Sequence, residues 1–378
     1  MSNTTPISVR VPANLRWDCG SCGDCCRTFT LGPVSQDIIS LLESQKIAEK
    51  WAPAAEGPWY STQPGPDGRP GYFLNAGPDG ACVFLREDNL CAIHALIGPE
   101  AKPAFCREYP YHGILDPKGL SLTARADCSG FHESFDKGTP IEERASDFAT
   151  LDRPYGLRRF APERVPITPR KEIALHHWMD LEAELLTRLD PTPRSPEGWA
   201  YVVRDLLEND CKLKMPTPNS DTAGEIRYEL ANVLIQTLEV GLRQPHDDSP
   251  NTLKMRGMLE SMLEVLLQSR EKLKDPPPEI DDRACAYFGL ILRGHLLSKS
   301  IFSSGEFTAG LGSYLFGTHL ARAAAGASDT PLGPKDLGPG FAAWARFTHN
   351  GVVQQLFQQA SNGLTQLFFH TPRPSPRS

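Results

Sequence analysis

Cysteines are concentrated near the start of this chain. Of the ten cysteines in 378 residues, eight fall within the first 128, and four occupy the run Cys19-Gly-Ser-Cys22-Gly-Asp-Cys25-Cys26. Thiolates so close together repel one another or oxidise unless a disulfide or a bound metal removes or shares their charge. The run therefore restricts this part of the chain to a disulfide framework or a metal-binding loop.

The expected compartment favours metal over disulfides. The N-terminus lacks a charged segment followed by an apolar one, so we expect no secretory signal and a cytoplasmic location, where thiols stay reduced. A chain of this length with 40% hydrophobic residues can also bury a core without covalent cross-links. No apolar run approaches the length of a membrane span. The net charge of −7 differs from the excess of basic residues that is typical of nucleic-acid binding proteins. We therefore expect neither a membrane nor a nucleic acid as partner.

The spacing of the first three cysteines favours an iron–sulfur cluster. Cysteines at i, i+3 and i+6 are typical of ferredoxins, in which they hold three corners of a [4Fe–4S] cluster. Gly20 and Gly23 allow the unusual backbone angles of such a wrap. Structural zinc more often uses two separate C-x₂-C pairs, although zinc remains an alternative. Neighbouring side chains diverge in regular structure, so Cys26 indicates either an irregular backbone or a second site.

Further cysteines downstream can complete one or two sites. Cys82 and Cys91 flank a charged turn between two apolar arms, which predicts that they face each other across a hairpin. Eight thiols suffice for two four-ligand sites, or for one site with spare thiols. The run itself supplies the predicted cofactor ligands. The predicted metal ligands are Cys19, Cys22, Cys25, Cys26, Cys82, Cys91, Cys106 and Cys128. Cys211 and Cys285 are predicted to be buried packing residues.

Composition divides the chain near residue 140 and predicts an α-rich protein. Residues 1–138 are rich in Cys, Gly and Pro, which predicts a small irregular metal-binding domain of short strands, loops and one or two helices. Residues 139–170 carry five prolines and predict a linker. Residues 171–370 predict an all-α domain of seven or eight helices, and residues 371–378 a disordered tail.

Apolar residues at three- and four-residue spacing locate the clearest helices of that second part. The predicted helices are 171–189, 223–242, 253–273, 283–301 and 341–359. A glycine-rich stretch, 310–317, lies inside a helical pattern and is attributed to packing rather than to phosphate binding.

Four elements in order resemble a known family. They are the run from Cys19 to Arg27, the helix entry at 34–38, the block from Cys82 to Cys91, and Cys106-Arg107-Glu108-Tyr109-Pro110. Across roughly residues 15–130 they resemble the CxxCxxCC cysteine-cluster family of zinc- or iron-chelating domains. The resemblance implies a domain that binds metal through its cysteines.

The layout of the whole chain is similar to flagellin lysine-N-methylases, a branch of that family. This resemblance implies iron–sulfur-dependent transfer of methyl groups to protein lysines, with S-adenosylmethionine as cofactor. Cys19, Cys22 and Cys25 would then hold the cluster, and a cleft against the helical part would receive the substrate. The sequence contains neither a G-x-G-x-x-G loop nor the C-x₃-C-x₂-C spacing of radical S-adenosylmethionine enzymes.

Three functional classes follow, and no catalytic residue stands out. The chain is a metal-binding module whose helical part recognises a protein partner, a protein-lysine N-methyltransferase, or a redox or metal-handling protein. The expected partner is a protein, as substrate or as binding partner. The sequence leaves the oligomeric state and the presence of catalysis open.

Overall fold

Short strands and short helices precede a series of longer helices. The computed structural model describes residues 8–64, 70–151, 153–154, 156–189, 194–245 and 250–373, so most of the predicted tail, from residue 374 on, lies outside the described residues. The chain is 55% helical, and the α-rich fold class is confirmed. Among the described residues, no helix is both long and apolar enough to cross a membrane.

The strands are β1 (Val9–Arg10), β2 (Arg16–Trp17), β3 (Leu31–Val34), β4 (Tyr60–Pro64), β5 (Pro70–Leu74), β6 (Tyr111–Asp116), β7 (Gly119–Ala124), β8 (Thr139–Pro140), β9 (Arg158–Arg159), β10 (Arg164–Thr168) and β11 (Lys171–Ala174). The α-helices are α1 (Asp24–Thr28), α2 (Gln36–Ser44), α3 (Ile47–Lys50), α4 (Ala52–Ala55), α5 (Ala92–Leu96), α6 (Ala104–Glu108), α7 (Phe131–Ser134), α8 (Ala145–Thr150), α9 (Leu175–Arg188), α10 (Pro196–Asn209), α11 (Ser220–Arg243), α12 (Pro250–Ser269), α13 (Asp282–Leu297), α14 (Phe307–Ala325), α15 (Pro334–Thr348), α16 (Gly351–Gln359) and α17 (Ser361–His370).

A small hydrophobic core lies within the cysteine-rich part. The antiparallel sheet β3–β5–β4 and helix α2 contribute to it, and its buried residues run from Leu31 to Ala101. Trp59 and Phe84 pack edge to face at 5.7 Å between ring centroids. The other fully buried side chains of this core are small or aliphatic. The aromatic residues that pack against it are only partly buried: Phe29, Trp51, Tyr60, Tyr72 and Phe105.

A larger core joins the rest of the N-terminal part to the helices. Its buried residues run from Leu15, through Leu120 and Phe131, to Phe368 in α17. The four-stranded sheet β1–β7–β6–β9 contributes to it, with β6 and β7 paired as an antiparallel hairpin from Tyr111↔Ala124 to Asp116↔Gly119. The composition change near residue 140 therefore does not coincide with a boundary between cores.

Helix α14 lies at the centre of this larger core. Nearly all of its side chains are buried, as its apolar sequence on every face predicts. A Cβ at Gly310 would lie 1.7 Å from the Ile301 carbonyl oxygen, and one at Gly312 would lie 1.9 Å from the Leu364 carbonyl oxygen. The glycine-rich stretch thus lets neighbouring backbones approach, in agreement with its predicted packing role.

A buried group of charges connects the sheet to the helices. Lys299 is 2% exposed in its side chain and pairs with Asp116 at 3.0 Å and with Glu182. Arg10 in β1 pairs with the same two carboxylates. Each charge has an opposite partner, which offsets the cost of burial and ties β1 and β6 to α9.

The segment 139–170 differs from the predicted linker. It carries β8, α8, β9 and β10, and Ile141, Phe148 and Ile167 are buried in the larger core. Its prolines lie in or beside short strands and turns. The prolines predicted a linker because proline is incompatible with long helices. Whether the segment is buried depends instead on the apolar residues between the prolines.

The helices agree with the sequence in position and differ in number and ends. Beyond residue 171, the described residues contain nine α-helices, α9 to α17. Residues 171–174, predicted to be helical and part of an all-α domain, instead form β11, which pairs with β10. The predicted helix 341–359 is two helices, α15 and α16, and helices α10 and α17 were not predicted.

Candidate metal centre

The cysteine run turns into a short helix at Gly23. Gly23 adopts φ 72°, a left-handed conformation that favours glycine, and precedes α1. Arg27 fixes the turn by donating hydrogen bonds to the Cys22 carbonyl oxygen at 2.8 Å and to Asn89 Oδ1 at 2.5 Å. The predicted role of Gly23 agrees with this geometry. Gly20, by contrast, lacks a positive φ, whereas the non-glycine Ser21 has φ 53°.

Helix α1 places the adjacent thiols of Cys25 and Cys26 in contact. The Cys26 thiol donates a hydrogen bond to Cys25, which lowers the pKa of Cys25 to about 7. The same bond, together with burial, raises the pKa of Cys26. The sequence predicted divergence of these neighbouring side chains, but adjacent positions on a helix are only about 100° apart, which leaves the two thiols within hydrogen-bond distance.

The loop containing Cys82 and Cys91 lies against α1. The Cys82 amide donates to the Cys26 carbonyl oxygen at 2.8 Å. Isolated bridges pair Cys82 with Ala76 and Cys91 with Leu85, so the two cysteines are not directly opposite each other as the hairpin prediction had them. Cys91 is nevertheless close enough to contribute to a raised pKa at Cys82.

Helix α6 brings in a fifth thiol. Burial raises the pKa of Cys106, and the charges of Cys82, Cys91 and Cys25 also affect it. Burial likewise raises the pKa of Cys82, to about 12. We call these five residues the five-thiol group: Cys25, Cys26, Cys82, Cys91 and Cys106.

Two lysines lie beside the five-thiol group. Lys102 lies near Cys25 and Cys106 and lowers the pKa of both. Lys254 in α12 donates to the Phe29 carbonyl oxygen at 3.2 Å, and its charge lowers the pKa of Cys82. Burial lowers the pKa of Lys254 itself, an effect that the thiols partly oppose. The second lysine connects the thiols to the helical part of the chain.

The remaining three cysteines lie together at a second position. Cys19 and Cys22 are exposed, whereas Cys128 is buried, and the charge of Cys22 contributes to the raised pKa of Cys128. Burial is the main cause and raises that pKa to about 12, while the Trp17 indole N–H opposes the rise. This indole N–H has no hydrogen-bond partner of ordinary geometry in the described part of the chain. The charge of Cys25 contributes to a raised pKa at Cys22, so this second position lies next to the five-thiol group.

The donor chemistry fits a thiolate-bound metal. All ten cysteines are free, including the buried Cys211 and Cys285, whose predicted burial is confirmed. Within the described residues, no set of three or more Cys, His, Asp or Glu side chains stands in the geometry of a formed metal site. Thiols whose pKa is raised by burial lose their protons when a cation supplies the missing charge.

A polar network next to Cys128 lies between the sheet and the helices. Asp127 is buried and pairs with Arg125, which together with His349 holds the pKa of that carboxyl well below its usual range. Arg346 in α15 donates to the Asp127 carbonyl oxygen at 2.9 Å. His295 lines a cavity of about 20 Å³ here, a volume suited to one water molecule.

Comparison with known proteins decides the family of the cysteine-rich part. Residues 18–133 match the family model CxxCxxCC, described as “Putative zinc- or iron-chelating domain”. This part of the chain is a CxxCxxCC domain. The CxxCxxCC domain contains all eight predicted ligands, and the match supports a cysteine-cluster metal-binding protein. No curated protein and no solved structure matches the chain.

Proposed function

We propose that the CxxCxxCC domain holds an iron–sulfur cluster through thiolates of the five-thiol group, and that this cluster stabilises the loop-rich part of the domain. The observation that carries the proposal is the gathering of five thiols from three separate segments around α1. Cys19, Cys22 and Cys128 are the adjoining ligands available for the same cluster or for a second metal. When bound, the cluster supplies the positive charge that lets buried thiols ionise.

The spacing of the first three cysteines supports iron–sulfur over zinc. Cys19, Cys22 and Cys25 have the spacing by which ferredoxins hold three corners of a cluster, whereas structural zinc more often uses two separate C-x₂-C pairs. Cys25 belongs to the five-thiol group, and Cys22 adjoins it. Lys102 and Lys254 offset the negative charge of thiolates bound to either metal. A zinc site of four thiolates is the alternative that metal analysis distinguishes.

Lysine methyl transfer gains no support from the interface between the sheet and α13. A lysine substrate calls for a deep cleft with acidic and aromatic walls. The small cavity at this interface is lined instead by His112, Arg125 and His295, and a more open pocket nearby by Arg10 and Arg293. The small cavity cannot hold a lysine side chain, and the open pocket has neither acidic nor aromatic residues in its lining, so we do not extend the proposal to the methyltransferase or to S-adenosylmethionine.

Anaerobic purification followed by an absorbance spectrum and metal analysis tests the proposal. We expect a broad visible absorbance, with iron and acid-labile sulfide in equal amounts. Cys106→Ser should remove most of the absorbance, because oxygen replaces a cluster thiolate poorly. Cys211→Ser is the matched control, since Cys211 is also buried but lies on the larger core. A colourless wild-type protein with stoichiometric zinc would show that the metal is zinc, and a metal-free protein would refute metal binding altogether.

A further inference from the structure

A cavity of about 270 Å³ lies in the helical part of the chain, beside the larger core. The turn from Asp275 to Pro278 forms one wall, and the last residues of α14 form another. Its surface is mostly apolar, with contributions from Leu273 and Ala323. Apolar walls with a few polar groups are typical of small-molecule sites.

Arg227 in α11 lines this cavity. It is 4% exposed and donates to the backbone oxygens of Leu273 at 2.8 Å and Asp275 at 3.0 Å. Within the described part of the chain, no carboxylate lies within ion-pair distance of it. Burial lowers its pKa to about 10; among the acidic groups that oppose this effect, the buried Glu197 acts most strongly and the exposed Asp275 less.

The buried carboxylate next to this site is already engaged. Glu197 accepts a hydrogen bond from Arg322 at 2.7 Å and lies 3.3 Å from His319 Nε2. Burial lowers the pKa of His319 to about 3, which keeps its imidazole neutral. Two buried guanidinium groups thus share one buried carboxylate, and Lys272 adds a third cation at the cavity. A buried charge without an opposite charge is costly, so an anion in the cavity would be stabilised.

We propose that this cavity binds a small organic molecule that has one carboxylate and an apolar body, with the carboxylate paired to Arg227. The carboxylate replaces the missing buried anion, and the apolar body contacts the proline-rich wall. The site is independent of the metal centre, because none of its lining residues belongs to the CxxCxxCC domain. Arg227 also stabilises the 273–275 turn through its two hydrogen bonds to backbone oxygens. If this were its only role, ligands of different charge would bind equally well.

Equilibrium dialysis with three matched probes tests the proposal on the full chain. The probes are benzoate, its neutral isostere benzamide, and its cationic isostere benzamidine. We expect one benzoate per chain, benzamide binding about tenfold more weakly or worse, and no binding of benzamidine. Equal binding of the three probes, or no benzoate binding at millimolar concentration, would overturn the proposal.

Two variants locate the site. Arg227→Met should weaken benzoate binding at least about tenfold, whereas Arg256→Met, which removes an exposed arginine from α12, should leave it unchanged. Because Arg227→Met also removes two backbone hydrogen bonds, a second variant fills the cavity mouth. Ala327→Trp, at an exposed lining residue, should block benzoate, and Ala325→Trp, exposed outside the lining, should not. Undiminished binding in Ala327→Trp would place benzoate elsewhere and contradict the assignment.

Discussion

Lys254 in α12 places a positive charge from the helical part of the chain beside the thiols. Its ammonium group donates to the Phe29 carbonyl oxygen and lies near Cys26 and Cys82. A nearby cation favours the more negative, reduced form of a cluster. We expect Lys254→Met to lower the reduction potential of the bound cluster by about 50–100 mV, as a single charge at this kind of distance would.

Lys254→Arg keeps the positive charge. Its reduction potential should therefore differ from that of the wild type by less than a third of the shift expected for Lys254→Met. Lys335→Met removes an exposed lysine at the start of α15 and serves as the second control. Redox titration followed by electron paramagnetic resonance gives the potentials. If Lys254→Met and Lys335→Met had equal potentials, Lys254 would not lie beside the cluster.

His295 makes the stability of the larger core depend on pH. Burial lowers its pKa from 6.5 to about 3 in the folded chain. The unfolded chain therefore binds one more proton between these values, and the stability present above about pH 6.5 is lost as the pH falls toward 3. We expect His295→Gln to reduce the dependence of the free energy of unfolding on pH by roughly 1 kcal/mol per pH unit between pH 6 and 4.

Urea unfolding at pH 7, 6, 5 and 4 measures this dependence. The slope decides the prediction rather than the absolute stability, because the substitution also removes the hydrogen bond between His295 and Ser300. His94→Gln, at an exposed position in α5, should leave the slope unchanged. Parallel pH profiles for the wild type and His295→Gln would contradict the prediction.

At the scale of elements, the start of α1 depends on one glycine. A Cβ at Gly23 would lie 2.5 Å from Arg27 Nη1 and 3.2 Å from Asn89 Cβ, and its φ of 72° is unfavourable for alanine. We expect Gly23→Ala to destabilise the turn by about 1–2 kcal/mol and to lower the metal content of the purified protein. Gly20→Ala is a matched control, because a Cβ there meets nothing within 4 Å. Equal metal content in the two variants would show that the turn before α1 does not limit binding.

Periodicity predicted the long helices and missed their interruptions. A run of apolar residues at helical spacing continues across 341–359, but the chain turns between α15 and α16 at Asn350-Gly351, a pair typical of turns that the pattern alone does not weigh. Strand β11 was missed because four residues beside a proline turn show no period. The alternation that defines the β10–β11 hairpin becomes visible only from its pairing, as at Val165↔Ile173.

The cysteine spacing indicates candidate ligands but does not show which of them lie close together. Cys82 and Cys106 lie near the early run, as a shared site requires. The closeness of Cys128 to Cys22, rather than to the five-thiol group, depends on the path of the β6–β7 hairpin. That path is set by contacts distant in sequence, and local spacing contains no information about it.

At the scale of the whole molecule, the two cores divide the chain differently from its composition. The small core covers buried residues from Leu31 to Ala101, and the five-thiol group lies around it. Cys128 belongs to the larger core with the helices. Composition placed the boundary near residue 140 because cysteine and glycine content falls there, yet Leu15 and Leu120 already belong to the core that contains the helices.

This division predicts a local response to metal removal. The small core buries few large side chains, so metal–thiolate bonds should supply much of the folding free energy of residues 24–106. The larger core has its own packed centre in α14 and does not depend on those bonds. We expect chelation to increase amide hydrogen exchange in α2 and β5 by at least about a hundredfold, with little change in α13 and α14.

Exchange measured by mass spectrometry on the metal-loaded and chelated full chain distinguishes the outcomes. Unchanged protection of α2 and β5 after complete metal loss would show that the small core folds without metal, and equal loss of protection in α14 would show that the two cores unfold as one.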